Sequence, residues 1–229
     1  MTNRISAQEV ASKIQHTLVA PDATEEDIKQ TCRECLEYGF DGAMILPAWI
    51  STAKQQLKGS KVKVCTAFGF PMGGSSTLSK VMEARDIVAA GADEIDFMPN
   101  FGLFKSGRHA EFKREIEAIV EAAGGIVTKV MLEFGMLLQE EKEIAATLAL
   151  EAGVTYLKNS SGWGQGGHAT AEDIRLLKRV AGNKALVKAS GGIRNMEKAL
   201  EILEAGAVML GTSGGVKIVS GLGEESTAY

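Results

Sequence analysis

Residues 151–161 read EAGVTYLKNSS, and the joint inside that stretch decides the fold. EAGV (151–154) is a helix ending, with glycine where a left-handed residue closes the helix and valine opening an apolar run. TYLKNSS (155–161) is a short strand-like run that carries a lysine in its middle. The same joint returns as EAGA (204–207), directly before AVMLGTS (207–213). Working outward from these two joints finds the remaining runs: IQHTLV (14–19), FDGAMILP (40–47), VKVCTAFGF (62–70), EIDFMPN (94–100), IVTKVMLEF (126–134) and ALVKASG (185–191). With the first two they make eight strands, each followed by a segment of helical period.

Helix start signals lie between the strands. Thr24 precedes EED, Thr170 precedes AED and Asn195 precedes MEKALEILEAG, each a capping side chain ahead of acidic first-turn residues that suit the helix dipole. Gly39, Gly91, Gly153 and Gly206 are the expected helix stops. Strands alternating with helices imply parallel pairing, because a crossover helix returns the chain to the same end of the sheet. Eight uninterrupted units fit a closed (β/α)8 TIM barrel better than an open doubly wound sheet. The expectation is one domain over 1–229 with tight loops, ending in a short tail at about 221–229.

Composition narrows the function. Of 229 residues, 45% are hydrophobic and 24% charged, which is that of an ordinary globular chain and not of a disordered one. A net charge of -4 offers no general attraction to nucleic acid. The N-terminal stretch has no apolar block of signal-peptide length and no run is long enough for a membrane span, so a cytoplasmic protein without membrane partners is expected. Cys32 and Cys35 form a CxxC inside TEEDIKQTCRECLEYGF, which reads as a helix; with no second pair nearby they are expected to share a helix face, and no metal site is expected. His109 and His168 fall near helix starts and are expected to face solvent, whereas His16 is expected at the rim of the first strand.

In a barrel of this kind the functional residues lie at the C-terminal ends of the strands. Asp96, Lys129, Lys158 and Lys188 occupy four consecutive strands at what look like matching heights. A single strand lysine is as readily a charge snorkelling from the rim. Three beside one aspartate are harder to explain so. Lys158 and Lys188 are expected to face each other, and like charge together with burial lowers a lysine pKa. Bringing one from ~10.4 to ~7.5 takes roughly 4 kcal/mol. An amine neutral near pH 7 attacks carbonyls, which points to Schiff-base chemistry. Glycines at SSG (160–162), SGGIR (190–194) and GTSGG (211–215) follow three adjacent strands, and backbone N–H groups left uncovered there suit a phosphate, naming Gly162, Gly191, Gly192, Gly211, Ser213 and Gly214.

These stretches, with HTLVAPDATEEDI (16–28), KVCTAFGFPMG (63–73), GADEID (91–96), LKNSSG (157–162), VKASGGIR (187–194) and GTSGGV (211–216), make the chain resemble the deoxyribose-phosphate aldolase family end to end. The resemblance implies a class I aldolase without cofactor or metal, cleaving 2-deoxyribose 5-phosphate. It implies Lys158 as the Schiff-base lysine, Lys188 as the neighbour that depresses its pKa, Asp96 as the partner in proton transfer, a terminal Tyr229 that reaches the site, and a homo-oligomer, commonly a dimer. The chain departs from the family pattern at Gln15 (usually Asp), at Leu46 and the residues before it, at Pro99, at Phe134 and Asn159 (usually Thr), at Trp163 (usually Phe) and at Gly214 (usually Ser). Two alternatives follow from these changes: an aldolase of the same type with another donor or acceptor, with Leu46, Phe134 and Trp163 reshaping the pocket, or a barrel that binds phosphosugars without catalysis.

Overall fold

The protein is described by a computed structural model over residues 5–221; residues 222–229 of the expected tail, Tyr229 among them, lie outside the described residues. Eight parallel strands close into one barrel in sequence order. They are β1 (Ile14–Leu18), β2 (Gly42–Ile45), β3 (Lys63–Phe68), β4 (Glu94–Phe97), β5 (Val127–Met131), β6 (Tyr156–Lys158), β7 (Leu186–Ser190) and β8 (Met209–Thr212). The helices are α1 (Ala7–Ala11), α2 (Glu25–Tyr38), α3 (Ile50–Gln56), α4 (Thr77–Ala89), α5 (Phe101–Lys105), α6 (His109–Ala122), α7 (Gln139–Glu151), α8 (Ala171–Ala181), α9 (Met196–Glu204) and α10 (Gly215–Ser220).

The local signals hold. Thr24, Thr170 and Asn195 cap α2, α8 and α9 by accepting with their side chains the N–H of the third helical residue, Asp27, Asp173 and Lys198. Gly39, Gly91, Gly153 and Gly206 all take positive φ just past their helices. The helix-facing side of the barrel is apolar, with Ile95, Val130, Leu157, Val187 and Leu210 buried against Ile28, Ile87, Ile116, Leu177 and Ile202. Cys32 and Cys35 are free thiols buried on the inner face of α2. His16 departs from its expected place: it points into this layer, with Nε2 2.8 Å from Glu34 of α2 and its ring tilted on Phe40. His109 is half-buried and stacked on Phe104, while His168 is exposed.

Strand β6 is shorter than its apolar run. Beyond Lys158 the pairing is continued by a side chain, because Asn159 Oδ1 accepts from the Ser190 N–H at 2.9 Å and its Nδ2 donates to the Ser190 carbonyl at 3.1 Å. The amide imitates one rung of the β6–β7 ladder and frees the backbone to turn into the next loop.

One buried ion pair outside the barrel went unread in the sequence. Lys80 of α4 and Glu115 of α6 meet at 2.8 Å with both side chains sealed from water. Lys80 also donates to the Gly73 carbonyl at 2.6 Å, and Glu115 accepts from the Asn100 N–H at 2.7 Å and from Thr77 Oγ1 at 3.1 Å. The pair thereby pins the loops after β3 and β4 to the helical shell. Removing one partner strands a buried charge, so Glu115→Ala is expected to cost about 3–5 kcal/mol in urea unfolding, with Lys80→Met on the Glu115→Ala background recovering part of the loss.

Candidate active site

The barrel interior is built in layers, each supplied by alternate strands, and the strand registers identify their members. The odd strands contribute Gln15, Cys65, Lys129 and Lys188 to the middle layer. Above it, toward the C-terminal ends, the even strands contribute Met44, Asp96, Lys158 and Gly211. Below it they contribute Gly42, Glu94, Tyr156 and Met209. A middle layer usually filled by branched aliphatics here carries two lysines and a glutamine, all fully buried. Lys158 and Lys188 are direct register partners, as expected. The four charged residues do not share one height, however: Asp96 and Lys158 belong to the upper layer, Lys129 and Lys188 to the one beneath, because the barrel's stagger shifts neighbouring strands.

Asp96 is the centre of the arrangement. Its Oδ2 lies 2.7 Å from Lys158 Nζ and 2.7 Å from Lys188 Nζ, and its Oδ1 lies 3.1 Å from Lys129 Nζ. Lys129 also reaches Glu94 Oε2 at 2.6 Å and sits over the Tyr156 ring. Gln15 joins the levels, accepting from Lys188 at 2.6 Å through Oε1 and donating from Nε2 to Glu94 at 2.7 Å and Asp41 at 3.0 Å. Lys63 closes the lower mouth by pairing with Asp41 and Glu94, both at 2.9 Å. Glu94 is the residue the sequence reading passed over, although it stands two positions before Asp96 and therefore on the same face of β4.

Three ammonium groups, on Lys129, Lys158 and Lys188, oppose two carboxylates, Glu94 and Asp96, away from water. Burial and the surrounding charges together decide the protonation. Burial pushes the Asp96 carboxyl upward, yet Lys158, Lys188 and Lys129 outweigh it and hold Asp96 well below the carboxylate range. Burial likewise opposes ionisation of Glu94, and Lys129 with Lys63 overcomes it, lowering Glu94 to about 2. Lys129 is pushed up, burial being overcome by Asp96 and Glu94. Lys188 goes the other way: burial above all, helped by the charges of Lys158 and Lys129 and resisted by Asp96, lowers it to about 7. Lys188, expected as the neighbour of the Schiff-base lysine, is thus itself a lowered amine.

Around the upper mouth, the glycine loops differ in character. Gly191 and Gly192 adopt positive φ and are packed so closely that a Cβ would stand 2.4 Å from the Gly167 carbonyl oxygen and 2.9 Å from the His168 ring. Gly162 lies beside them, its N–H donating to Ser160 Oγ at 2.8 Å. Gly211, expected in a phosphate loop, belongs to β8 itself. A Cβ there would fall 2.3 Å from Ser190 Oγ and 3.2 Å from Lys188 Cε, so its bareness makes room for the lysine side chain. Ser213 and Gly214 form the turn into α10, with the Gly214 N–H held by Thr212 Oγ1 at 3.0 Å. Trp163 stands at the rim edge-on to Phe70, with ring centroids 5.8 Å apart. Phe134 does not reshape the pocket as expected: its ring is buried beneath Lys142 of α7. Glu133 beside it has a left-handed backbone, and its carboxylate grips the N–H and hydroxyl of Ser161, fastening the β6 loop to β5.

Residues 12–221 match the family described as DeoC/LacD family aldolase. The chain belongs to this family. Among its relatives, the deoxyribose-phosphate aldolase of Brevibacillus brevis is 46% identical, covering 94% of this chain and 97% of its own length. That of Carboxydothermus hydrogenoformans is also 46% identical, over 95% and 97% of the two chains. The deoxyribose-phosphate aldolase of Aeropyrum pernix, a tetramer, superposes with a TM-score of 0.87 at 32% identity, covering 94% of this chain and 91% of its own. The protein is therefore an aldolase, an aldehyde-lyase, and the reading as a binding-only barrel falls away. Among the described residues no helix of the aldolase is long and apolar enough to cross a membrane.

The shared carboxylate makes a quantitative expectation. Asp96→Asn removes the carboxylate that most raises Lys188, so the acidic limb of the aldolase's kcat/KM against pH should move to lower pH. With the proton bridge gone, the plateau should fall by about 100-fold or more. Steady-state cleavage rates across the pH range read both effects.

Proposed function

We propose that this aldolase cleaves 2-deoxyribose 5-phosphate to glyceraldehyde 3-phosphate and acetaldehyde through a Schiff base on Lys158. The observation that carries the reading is the bridging of Lys158 and Lys188 by one oxygen of Asp96, at 2.7 Å from each. A proton leaving Lys158 can pass by way of that oxygen to Lys188, whose lowered pKa means that it begins the cycle neutral near pH 7. Lys158 is then the free amine, and of the two it is the one in the upper layer, nearer the mouth.

Its nitrogen adds to the aldehyde carbon C1, Lys188 gives the proton it has received to the carbinolamine hydroxyl, which leaves as water, and an iminium results with Lys188 neutral again. Removal of the proton from the C3 hydroxyl lets the C2–C3 bond break. The bond's electron pair enters the iminium as an enamine, and C3 leaves as the aldehyde of glyceraldehyde 3-phosphate. Protonation of the enamine at C2 and hydrolysis of the iminium release acetaldehyde and return Lys158. Asp96, held ionised far below its ordinary range, is a poor base, so neutral Lys188 is assigned the proton abstraction and Asp96 the orientation of both amines. The backbone around Gly162, Gly191, Gly192, Ser213 and Gly214 is assigned the phosphate. No cofactor or metal enters these steps. Tyr229 keeps its proposed part only through the family resemblance.

The exposed Trp163–Phe70 edge at the rim supports a second reading, the same chemistry on a partner larger than glyceraldehyde 3-phosphate. A cytoplasmic location and self-association, expected as a dimer, are likewise proposals; the Aeropyrum pernix relative assembles further, as a tetramer.

Borohydride reduction during turnover of 2-deoxyribose 5-phosphate is expected to leave the mass of a reduced two-carbon or five-carbon adduct on the peptide carrying Lys158. An adduct on another lysine, or none while cleavage proceeds, would overturn the assignment. Cleavage rates over a panel of phosphorylated sugars distinguish the two readings of the acceptor.

A further inference from the structure

Glu133 stands just past the end of β5, and among the described residues it alone takes positive φ without being glycine, at 41°. Such a backbone persists where the surroundings over-determine it. Here the turn delivers a buried carboxylate to the loop after β6, where it accepts from the Ser161 N–H and, at 3.1 Å, from Ser161 Oγ. Burial pushes the Glu133 carboxyl above its usual range, and the two Ser161 bonds and the charge of Lys158 pull the other way. Glycines let the loop come this close. A Cβ on Gly166 would overlap Glu133 Oε2 and stand 2.7 Å from Ser160 Oγ, and one on Gly135 would stand 2.8 Å from Gly167 N. The far side of the same loop carries the turn after β7. A Cβ on Gly162 would lie 3.2 Å from Gly191 N, the Ala169 N–H donates to the Gly191 carbonyl at 2.9 Å, and Gly192 lies against the His168 ring. Contact therefore runs from Glu133 through residues 161–169 to Gly191 and Gly192.

We propose that Glu133 is a positioning residue for the substrate's phosphate: its grip on Ser161 sets the loop after β6 so that Gly162, Gly191 and Gly192 stand ready before the sugar arrives. The physical reason is preorganisation. The segment SGWGQGG (161–167) holds four glycines, and glycine loses more conformational freedom on ordering than any other residue. Strand pairing has already stopped at Lys158, so the ladder does not hold this segment. Hydrogen bonds to an ionised carboxylate are stronger than those to a neutral acceptor, and Glu133 places two of them on one residue at the loop's root. With the loop ordered in advance, less of the phosphate's binding energy is lost to ordering it. Glu133 thus acts on the phosphate through the backbone of its neighbours.

The proposal rests on the reading of a phosphorylated sugar as substrate, and the test separates the two. kcat/KM is to be measured for 2-deoxyribose 5-phosphate and for unphosphorylated 2-deoxyribose in the natural protein, Glu133→Gln and Glu133→Ala. The preference for the phosphorylated sugar, the ratio of the two values, is expected to fall by about tenfold or more in Glu133→Ala. Glu133→Gln keeps an acceptor without the charge, and a smaller fall of about threefold is expected. Losses shared equally by both sugars leave the ratio unchanged, mark a merely structural residue and overturn the proposal. Should Glu133→Ala fail to fold, the ratio in Glu133→Gln decides alone, a fall supporting the proposal and an unmoved ratio sinking it. A natural protein that cleaves neither sugar, or both equally well, sinks the substrate reading and the role of Glu133 with it; a natural preference that survives both substitutions sinks the role of Glu133 only.

Discussion

Three ammonium groups and two carboxylates enclosed where water does not reach cannot all keep their charges cheaply, and the interior of this barrel is organised around that imbalance. A buried ion without a partner is costly, so each of Lys129, Lys158 and Lys188 is held against Asp96 within about 3 Å of it, and the surplus charge is relieved at Lys188. The unequal environments do the sorting. Lys129 touches two carboxylates, Glu94 and the second oxygen of Asp96, and keeps its proton; Lys188 has a neutral amide and half of a shared oxygen.

The rest of the molecule serves to keep that cluster dry and fixed. Ladder hydrogen bonds hold the strands, the apolar helix-facing side chains seal the outside of the barrel, and the Asn159 side chain extends the β6–β7 pairing by one rung where the backbone must turn. Gly211 leaves space for Ser190 and the Lys188 side chain, and Gly42 for the Lys63 backbone and the Cys65 sulfur. At the upper mouth the loops are tied to each other: Glu133 holds Ser161, Gly191 packs on Gly167, and Lys80 with Glu115 pins the loops after β3 and β4. Rigid surroundings matter because proton movement between two amines depends on their staying within hydrogen-bond reach of one oxygen.

Several readings of the sequence needed revision, and each for a tertiary reason. Lys129 and Lys188 stand a layer below Asp96 and Lys158, since barrel stagger is set by closure and is invisible within a single strand. Phe134 looked like a pocket residue from its position after β5, but the left-handed turn at Glu133 sends its ring beneath α7. His16 alternates with Gln15 along β1 and so faces the helices. Gly211 lies in a glycine-rich stretch yet is a strand residue whose missing side chain accommodates Lys188. Glu94 could have been found from its spacing to Asp96, whereas Lys80 and Glu115 meet across helices with no such signal.

What the amino-acid order determined by itself was the architecture: helix caps, glycine stops and eight apolar runs are local signals, each readable within a few residues, and their alternation admits only parallel closure. It also brought Lys158, Lys188 and Asp96 forward as candidates. Which lysine would be depressed was decided only by the folded barrel. A pKa is set by the sum of surrounding charges and by burial, and for Lys188 those surroundings come from β1, β4, β5 and β6, the Gln15 contact spanning 173 positions of the chain.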